Sequence, residues 1–299
     1  MHIPSTMLSG AVCPVTLAVS AVGIGAAARA AKKSDKKPSP AKFAAVTALI
    51  FALQMLNYPV QDGTSGHLVG AILAVGLLGI PFAILSMSVV LAVQAFFFGD
   101  GGVNALGANI LNMALIGAGL LGFAYNRIKE RGFNDKVSLG IAAFLSVLAG
   151  AFACSVEVAV SGGAAFNKVL PAMMSVHALI GLGEALLTVS VVYALNTYYA
   201  KKENEYGFAV GASILAVGAA LISPLASGFP DGLEWVAEKL SFAEFSGFEA
   251  PAIFPDYQAA FIAGSGFSTI LAGIAGIVIA FGITFGIGKI LKGTQMISA

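Results

Sequence analysis

The chain has 299 residues, of which 58% are hydrophobic and 10% charged, and its formal net charge is +1 at pH 7. Soluble domains carry about 25% charged residues, so this composition excludes an ordinary soluble protein. Apolar runs of about 20 residues, long enough to cross a bilayer, recur along the whole length. The balanced charge gives no sign of a nucleic-acid partner, and the sequence carries no Walker pattern for ATP hydrolysis.

Nine hydrophobic segments predict an all-α membrane protein with about nine transmembrane helices. In chain order they are 10–31, 43–60, 67–79, 81–98, 103–125, 137–160, 172–199, 207–226 and 258–291. The third is short, so we expect it to be tilted or partly re-entrant and shielded from lipid by its neighbours. The ninth is longer than a span requires, which places its first turns in the membrane interface.

The basic residues predict the orientation of these segments. With nine spans, nearly all of them fall on one face, which the positive-inside rule makes cytoplasmic. They are Arg29, Lys32, Lys33, Lys36, Lys37, Lys42, Arg127, Lys129, Arg131, Lys136, Lys201, Lys202, Lys289 and Lys292, with Lys168 and Lys239 opposite. We therefore predict a protein of the inner, cytoplasmic membrane with its N-terminus outside and its C-terminus in the cytoplasm.

The first apolar segment ends in a stretch, Ala28-Arg29-Ala30, that has the small residues of a signal-peptidase site. A signal peptide carries positive charge before its apolar region, whereas here the basic cluster follows it. We therefore expect no cleavage, so that Met1 and His2 are retained on the outer face.

The first two residues offer nitrogen donors for a metal ion. The α-amino group of Met1 has a reference pKa of about 7.7–8.0, so a bound metal frees its lone pair at neutral pH. The amide nitrogen and imidazole of His2 follow directly along the chain, and His67 is predicted on the same membrane face. Four nitrogens in a tetragonal arrangement select Ni(II) or Cu(II) over ions that prefer oxygen. The sequence thus predicts a metal site made by Met1, His2 and His67, provided that the terminal amine is unblocked.

The alternative is that His2 is a chance residue at a frayed terminus and that His67 only hydrogen-bonds within a turn. The chain has three histidines, however, and two of them fall on one predicted face. In the loop that carries His67, we expect the hydroxyls of Thr64 and Ser65 to bond an imidazole N–H and fix which nitrogen faces the metal. Asn57 is either a further support for the ligands or a partner for a neighbouring helix.

His177 and Glu184 are two helical turns apart and share one face of the seventh segment. Ionisable residues inside a membrane are costly and are usually functional or paired. The two side chains are either a station on the route of an ion or a structural hydrogen-bonding pair between helices. A third interpretation is an intramembrane enzyme that uses them as acid and base, but no nucleophile and no zinc-protease pattern accompanies them.

The chain divides at the charged connector 201–205. Residues 1–200 form the predicted metal-capture membrane domain, and residues 201–299 form a two-span accessory domain with an outside loop at 227–257. This loop is acidic, and we expect a short amphipathic helix to begin near Asp231. The excess of carboxylates either concentrates cations at the mouth of the site or is an ordinary solvated surface.

Several stretches resemble one family, the nickel/cobalt substrate-capture components of energy-coupling-factor transporters, CbiM/NikM type. They are Met-His-Ile-Pro at 1–4, Ala-Leu-Gln-Met-Leu-Asn at 52–57, Gly-Thr-Ser-Gly-His-Leu at 63–68, Phe-Gly-Asp-Gly-Gly at 98–102, Ala-Leu-Gly-Ala-Asn at 105–109 and His-Ala-Leu-Ile-Gly-Leu-Gly-Glu at 177–184. Pro-Asp-Gly-Leu-Glu at 230–234 is similar to the family's small accessory component, here fused to the capture component. Ser5 and Thr6 depart from the acidic residue and glycine that often follow Met-His-Ile-Pro in this family.

The resemblance implies a seven-helix capture domain that binds one Ni(II) or Co(II) ion through the Met1 amine, the His2 backbone nitrogen and imidazole, and His67. It also implies a separate membrane coupling subunit and two cytoplasmic ATP-binding subunits as partners. The predicted function is therefore ATP-driven nickel uptake without catalysis by this chain and without an organic cofactor. The alternatives are uptake of cobalt for cobalamin synthesis and, more distantly, a stand-alone secondary metal carrier.

Overall fold

The computed structural model describes residues 2–61, 63–199, 204–242, 251–259, 262 and 266–293. The described chain is built from helices joined by short loops. The helices are α1 (Val12–Lys33), α2 (Pro40–Gln54), α3 (Ala71–Leu78), α4 (Ile80–Val93), α5 (Leu106–Asn109), α6 (Leu121–Glu130), α7 (Asp135–Val160), α8 (Phe166–Tyr199), α9 (Glu205–Ile222), α10 (Gly232–Leu240) and α11 (Gly266–Lys292). A small hairpin between α2 and α3 pairs strand β1 (Tyr58–Pro59) antiparallel with β2 (Ser65–Gly66).

Two stretches of π-helix extend the regular helices. One, Gln94–Phe98, continues α4, and the other, Ile110–Leu120, joins α5 to α6 without a break. The first ends at Gly99, whose φ of 68° lies in the left-handed region that favours glycine. π-Helical turns are rare and are frequent at functional sites. The first stretch ends two residues before Asp100, whose carboxylate lies 3.2 Å from His2 Nδ1.

Seven helices of the described chain are long and apolar enough to cross a membrane. They are Val12–Lys33, Ile80–Phe98, Leu106–Glu130, Asp135–Val160, Phe166–Tyr199, Glu205–Leu225 and Gly266–Lys292. The predicted all-α membrane architecture is therefore confirmed. The predicted segments 43–60 and 67–79 correspond to α2 and α3, which have 15 and 8 residues and are shorter than the roughly 20 residues of a full span. The total of nine spans is thus not confirmed.

Helix α2 forms the centre of the bundle. Its residues from Phe43 to Ala52 are all buried, and it packs against α4, α9 and α11. A helix that is apolar on every side is stable only when it is surrounded, because each of its faces must be removed from solvent. Since α9 and α11 belong to the C-terminal third of the chain, that third shares this core with the preceding residues.

The two ends of the bundle differ in chemistry. At one end, the Lys37 ammonium donates to the Leu291 carbonyl at 3.3 Å, and the Ser39 amide donates to the Glu205 carboxylate at 3.0 Å. These contacts bring together the α1–α2 connection, the start of α9 and the end of α11. The opposite end carries residues 2–11, the β-hairpin, the turn at 99–102 and α10.

Helix α1 is held to the bundle by a close approach to α5. The Ser20 hydroxyl donates to the carbonyl of Gly107 at 2.7 Å, and a Cβ atom at Gly107 would overlap the backbone of Thr16 and Leu17. Small residues allow membrane helices to approach in this way. Most of the remaining surface of α1 is exposed, so this contact fixes how the N-terminal segment enters the bundle.

We predict that Gly107→Ala destabilises the protein by about 1–3 kcal/mol, because the added methyl group has to push α1 away from α5. The matched control is Gly25→Ala, also in a helix of this pair, where no atom lies within 4 Å of the added Cβ. Thermal unfolding in detergent measures both variants. Equal unfolding temperatures for the two variants would contradict the proposed role of the contact.

Candidate metal-binding site

The N-terminal segment folds inward and is held by the side chain of Asn109. The Ile3 amide donates to Asn109 Oδ1 at 2.8 Å, and Asn109 Nδ2 donates back to the Ile3 carbonyl at 3.1 Å. The same carbonyl accepts the Gly102 amide at 2.9 Å. Ile3 is completely buried, and a Cβ at Gly102 would overlap Ser5. The segment is therefore inserted between helices and does not fray into solvent.

This insertion brings His2 against His67. Their rings are stacked with centroids 5.0 Å apart and an interplanar angle of 17°, and both side chains are buried. The structure thus brings together the two described residues of the predicted ligand set. Met1, the third member of that set, lies outside the described residues.

Each imidazole has a defined partner at Nδ1. His2 Nδ1 lies 3.2 Å from Asp100 Oδ1, and His67 Nδ1 lies 2.9 Å from the Leu68 carbonyl oxygen. Since a carbonyl oxygen only accepts, His67 carries its proton on Nδ1, so Nε2 is the ring atom whose lone pair can bind a metal. Burial lowers the pKa of His2 to about 3 and that of His67 to about 3. Both rings are therefore neutral at pH 7 and do not have to lose net charge to bind a metal.

Glu184 organises the loop that follows His67. Its carboxylate accepts the amides of Val69 at 2.6 Å and Gly70 at 2.8 Å. Gly70 has a φ of 78° and forms the N-cap of α3. Glu184 therefore supports the ligand loop through its backbone.

His177 lies on the same helix as Glu184 but has other partners. Its Nδ1 donates to the Met173 carbonyl at 2.8 Å, one helical turn away. Its ring lies under the start of α10, where a Cβ at Gly232 would come within 3.0 Å of His177 Cε1. His177 thus packs where the C-terminal third of the chain contacts α8.

The accessory loop is joined to the β-hairpin by main-chain contacts. The Ser65 amide donates to the Pro230 carbonyl at 2.8 Å, and the Ser227 amide donates to the Asn57 carbonyl at 2.8 Å. We expected the Ser65 hydroxyl to bond an imidazole, but it donates to the Phe229 carbonyl at 2.8 Å. The reason is that the accessory loop lies alongside β2 and presents its carbonyl oxygens to Ser65.

Helix α10 begins at the predicted residue. The Asp231 side chain accepts the amides of Leu233 and Glu234, and the Glu234 carboxylate accepts the Asp231 amide at 2.9 Å. This reciprocal capping box fixes the start of the helix beside the hairpin. Of the other acidic residues in the predicted outside loop, Glu244 and Glu249 lie outside the described residues.

A chain of polar side chains extends from the site into the bundle. The Tyr257 hydroxyl donates to Asp100 Oδ2 at 2.5 Å and accepts from Gln94 Nε2 at 3.0 Å. Gln94 Nε2 also donates to Gln54 Oε1 at 2.8 Å, and Gln54 Nε2 donates to the Val69 carbonyl at 2.6 Å. The chain therefore links the surroundings of His2 to the loop that carries His67.

A cavity of about 410 Å³ lies at this end of the bundle. Its lining comes from both parts of the chain and includes His2, Gln54, Asn57, His67, Asp100, Ser227, Asp231, Glu234, Asp256 and Tyr257. Among the described residues, no three His, Cys, Asp or Glu side chains are grouped as metal ligands. The arrangement offers two neutral imidazoles with carboxylates nearby, which suits a cation that prefers nitrogen ligands.

Sequence reasoning did not assign Asp100, Gln94 or Tyr257 to this site. Asp100 was considered only as part of the stretch Phe-Gly-Asp-Gly-Gly at 98–102, and neither Gln94 nor Tyr257 was singled out. The stretch Phe-Gly-Asp-Gly-Gly was the available signal, because a carboxylate flanked by glycines in a turn can approach another backbone closely. Nothing comparable in the sequence marks Tyr257.

Comparisons with known proteins agree with this architecture. Residues 2–201 match the model of the CbiM family, the cobalt uptake substrate-specific transmembrane region, and residues 206–293 match the PDGLE domain. A protein of Archaeoglobus fulgidus assigned as a fused nickel transport protein, NikMN, is 37% identical over 83% of this chain and 85% of its own. The cobalt transport protein CbiM of Acetoanaerobium sticklandii is 28% identical over 60% of this chain and 76% of its own.

A solved structure gives the same result for the fold. The crystal structure of a truncated transition metal transporter superposes with a TM-score of 0.60 at 33% identity and covers 66% of this chain and 99% of that one. All three of these relatives are described as metal transporters. The chain therefore belongs to the CbiM family of nickel and cobalt transport proteins, as a multi-pass membrane protein with a fused PDGLE domain.

Proposed function

We propose that the chain is the metal-capture subunit of an ATP-driven nickel uptake transporter, with Co(II) as the alternative substrate. The ion is bound by the Met1 amine, the His2 amide nitrogen and imidazole, and the His67 imidazole. The observation that carries this proposal is the buried, stacked pair of His2 and His67 at a polar cavity. Burying two imidazoles costs free energy unless their nitrogen atoms gain partners, and a bound metal ion supplies such a partner.

The choice of nickel rests on ligand chemistry. Successive main-chain and side-chain nitrogens of Met1 and His2 form fused chelate rings, which favour a planar arrangement around the ion. Such four-nitrogen tetragonal sites suit Ni(II) better than ions that prefer more ligands or oxygen donors. The likeness to a fused nickel transport protein supports the same choice, whereas the family description supports cobalt.

The carboxylates at the cavity balance the positive charge of the bound ion. A Ni(II) ion bound to one deprotonated amide keeps a net charge of +1, and a buried charge is stable only when a counter-charge is nearby. Asp100 lies 3.2 Å from His2 Nδ1 and supplies this negative charge. Asp231 and Glu234 add negative potential at the wall contributed by the accessory part, which attracts cations to the cavity.

The two domains of the chain have different proposed roles. We assign residues 1–200 to metal capture and residues 201–299 to an accessory domain that closes the site from outside. The bonds from Ser65 and Asn57 to the accessory loop support this assignment, because they fix that loop against the ligand-bearing hairpin.

The proposed transport direction is from outside to inside. The metal cavity and the basic connections lie at opposite ends of the bundle, so the positive-inside rule orients the cavity, with the N-terminus, outward. A separate membrane coupling subunit and two cytoplasmic ATP-binding subunits would then change the packing of the ligand helices, so that the ion is released inward. In this proposal both side chains have structural roles. Glu184 supports the loop that follows His67, and His177 supports the contact with the accessory domain.

We predict that three residues added ahead of Met1 abolish tight nickel binding, with a loss of more than about 100-fold, because the terminal amine is itself a ligand. A loss of this size exceeds the roughly 10–100-fold that follows the removal of partners supporting a ligand. Metal content and affinity of the purified chain measure the effect. The same three residues added after Ala299 are the matched control. Normal nickel affinity of the N-terminally extended chain, with its fold intact, would refute the proposed ligand set.

Nickel binding is also predicted to release protons in a pH-dependent manner. The imidazoles, with pKa values near 3, hold no extra proton at neutral or alkaline pH. The amine, with a reference pKa of about 7.7–8.0, loses one proton at pH 7 but almost none at pH 9. The amide loses one proton at both values, so the expected release is about two protons at pH 7 and about one at pH 9.

Calorimetry in two buffers of different ionisation enthalpy measures this number at each pH. A site that does not use the His2 amide would release about one proton at pH 7 and close to none at pH 9. That result would contradict the proposed role of the amide nitrogen.

A further inference from the structure

Two buried polar atoms beside the metal site have no hydrogen-bond partner among the described residues. They are His2 Nε2 and Gln94 Oε1. His2 is 6% exposed and Gln94 is fully buried, so both atoms are shielded from bulk solvent. Unsatisfied buried polar atoms are few in native proteins and call for an explanation.

The two side chains are neighbours. Burial lowers the pKa of His2, and the Gln94 side chain lies close enough to act on that pKa in the opposite sense. The amide group of Gln94 is already used, because Nε2 donates to Gln54 Oε1 at 2.8 Å and to the Tyr257 hydroxyl at 3.0 Å. The oxygen is therefore the atom of Gln94 that remains available to the ring of His2.

Gln94 is linked to Asp100, which contacts the imidazole of His2. Asp100 Oδ1 lies at Nδ1, and the Asp100 amide donates to the Gln94 carbonyl at 3.2 Å across the π-helical turn. The Tyr257 hydroxyl joins their side chains, since it donates to Asp100 and accepts from Gln94. The segment from Gln94 to Asp100, which Tyr257 holds through two hydrogen bonds, thus positions the side chains of both residues.

We propose that Gln94 is the positioning residue for the His2 ligand. This inference rests on the proposed function, in which chelation through the His2 amide requires Nδ1 of the same residue to face the ion. The neutral ring then carries its proton on Nε2, and a metal-bound histidine usually donates this second N–H to an acceptor that fixes the ring. Gln94 Oε1 is that acceptor. The ring keeps one proton throughout, because Nδ1 gives up its proton as Nε2 gains one.

The test uses the nickel-loaded full chain with ¹⁵N-labelled histidine. The chain has three histidines, and His67 and His177 donate from Nδ1 to carbonyl groups. An Nε2–H signal from a ring bound to metal through Nδ1 therefore identifies His2. Planar Ni(II) is diamagnetic, so this proton is observable, and we expect it to be deshielded and slow to exchange.

Two variants of Gln94 decide the question. Gln94→Leu removes the acceptor oxygen, whereas Gln94→Glu keeps an acceptor oxygen but loses the N–H donors of the amide. We expect Gln94→Leu to lose the slowly exchanging Nε2–H signal and to weaken nickel binding by roughly 10–100-fold, whereas Gln94→Glu retains both. Thr284→Val is the matched control, because Thr284 Oγ1 is another buried atom without a partner among the described residues but lies in the second half of α11.

The outcomes separate the two proposals. A wild-type chain that binds no nickel through His2 overturns the proposed function and this inference with it. A wild-type chain that binds nickel normally, together with a Gln94→Leu variant of unchanged affinity and unchanged Nε2–H signal, overturns the inference alone. Equal losses in Gln94→Leu and Gln94→Glu also overturn it, since the effect would then come from the lost donors.

Discussion

The main-chain anchor at Ile3 is the constraint on which the site depends. Its amide and carbonyl are both bonded by the side chain of Asn109, and the carbonyl also accepts the Gly102 amide. A chain terminus normally frays because few contacts offset its conformational entropy. Here three hydrogen bonds and the burial of one isoleucine hold the segment inside the bundle, and the stacking of His2 on His67 follows from that position.

The accessory part has a structural role in the same site. Its helices α9 and α11 surround the central helix α2, and its loop contributes Asp231, Glu234 and Tyr257 to the cavity. Fusion in one chain thus keeps the cover of the site at a high effective concentration. The glycine at position 232 allows this cover to lie close to His177, because a side chain there would be in contact with the ring.

The sequence predicted the membrane architecture, the helix that begins near Asp231, and the proximity of His2 and His67. These features depend on composition, on capping residues and on charge placement, all of which are local or additive. The third segment was predicted to be short, and α3 is short, whereas the short length of α2 was not predicted, because a buried helix between other helices does not need to match the bilayer. The π-helical turn at Gln94 and the network through Asp100 and Tyr257 were also missed. They depend on contacts between residues up to 163 positions apart, which periodicity does not report.

X-ray absorption at the nickel edge of the purified, nickel-loaded chain tests the central claim most directly, because it reports the number, type and geometry of the donor atoms together. We predict a four-coordinate planar ion surrounded by nitrogen alone. A six-coordinate ion surrounded mainly by oxygen would contradict the account.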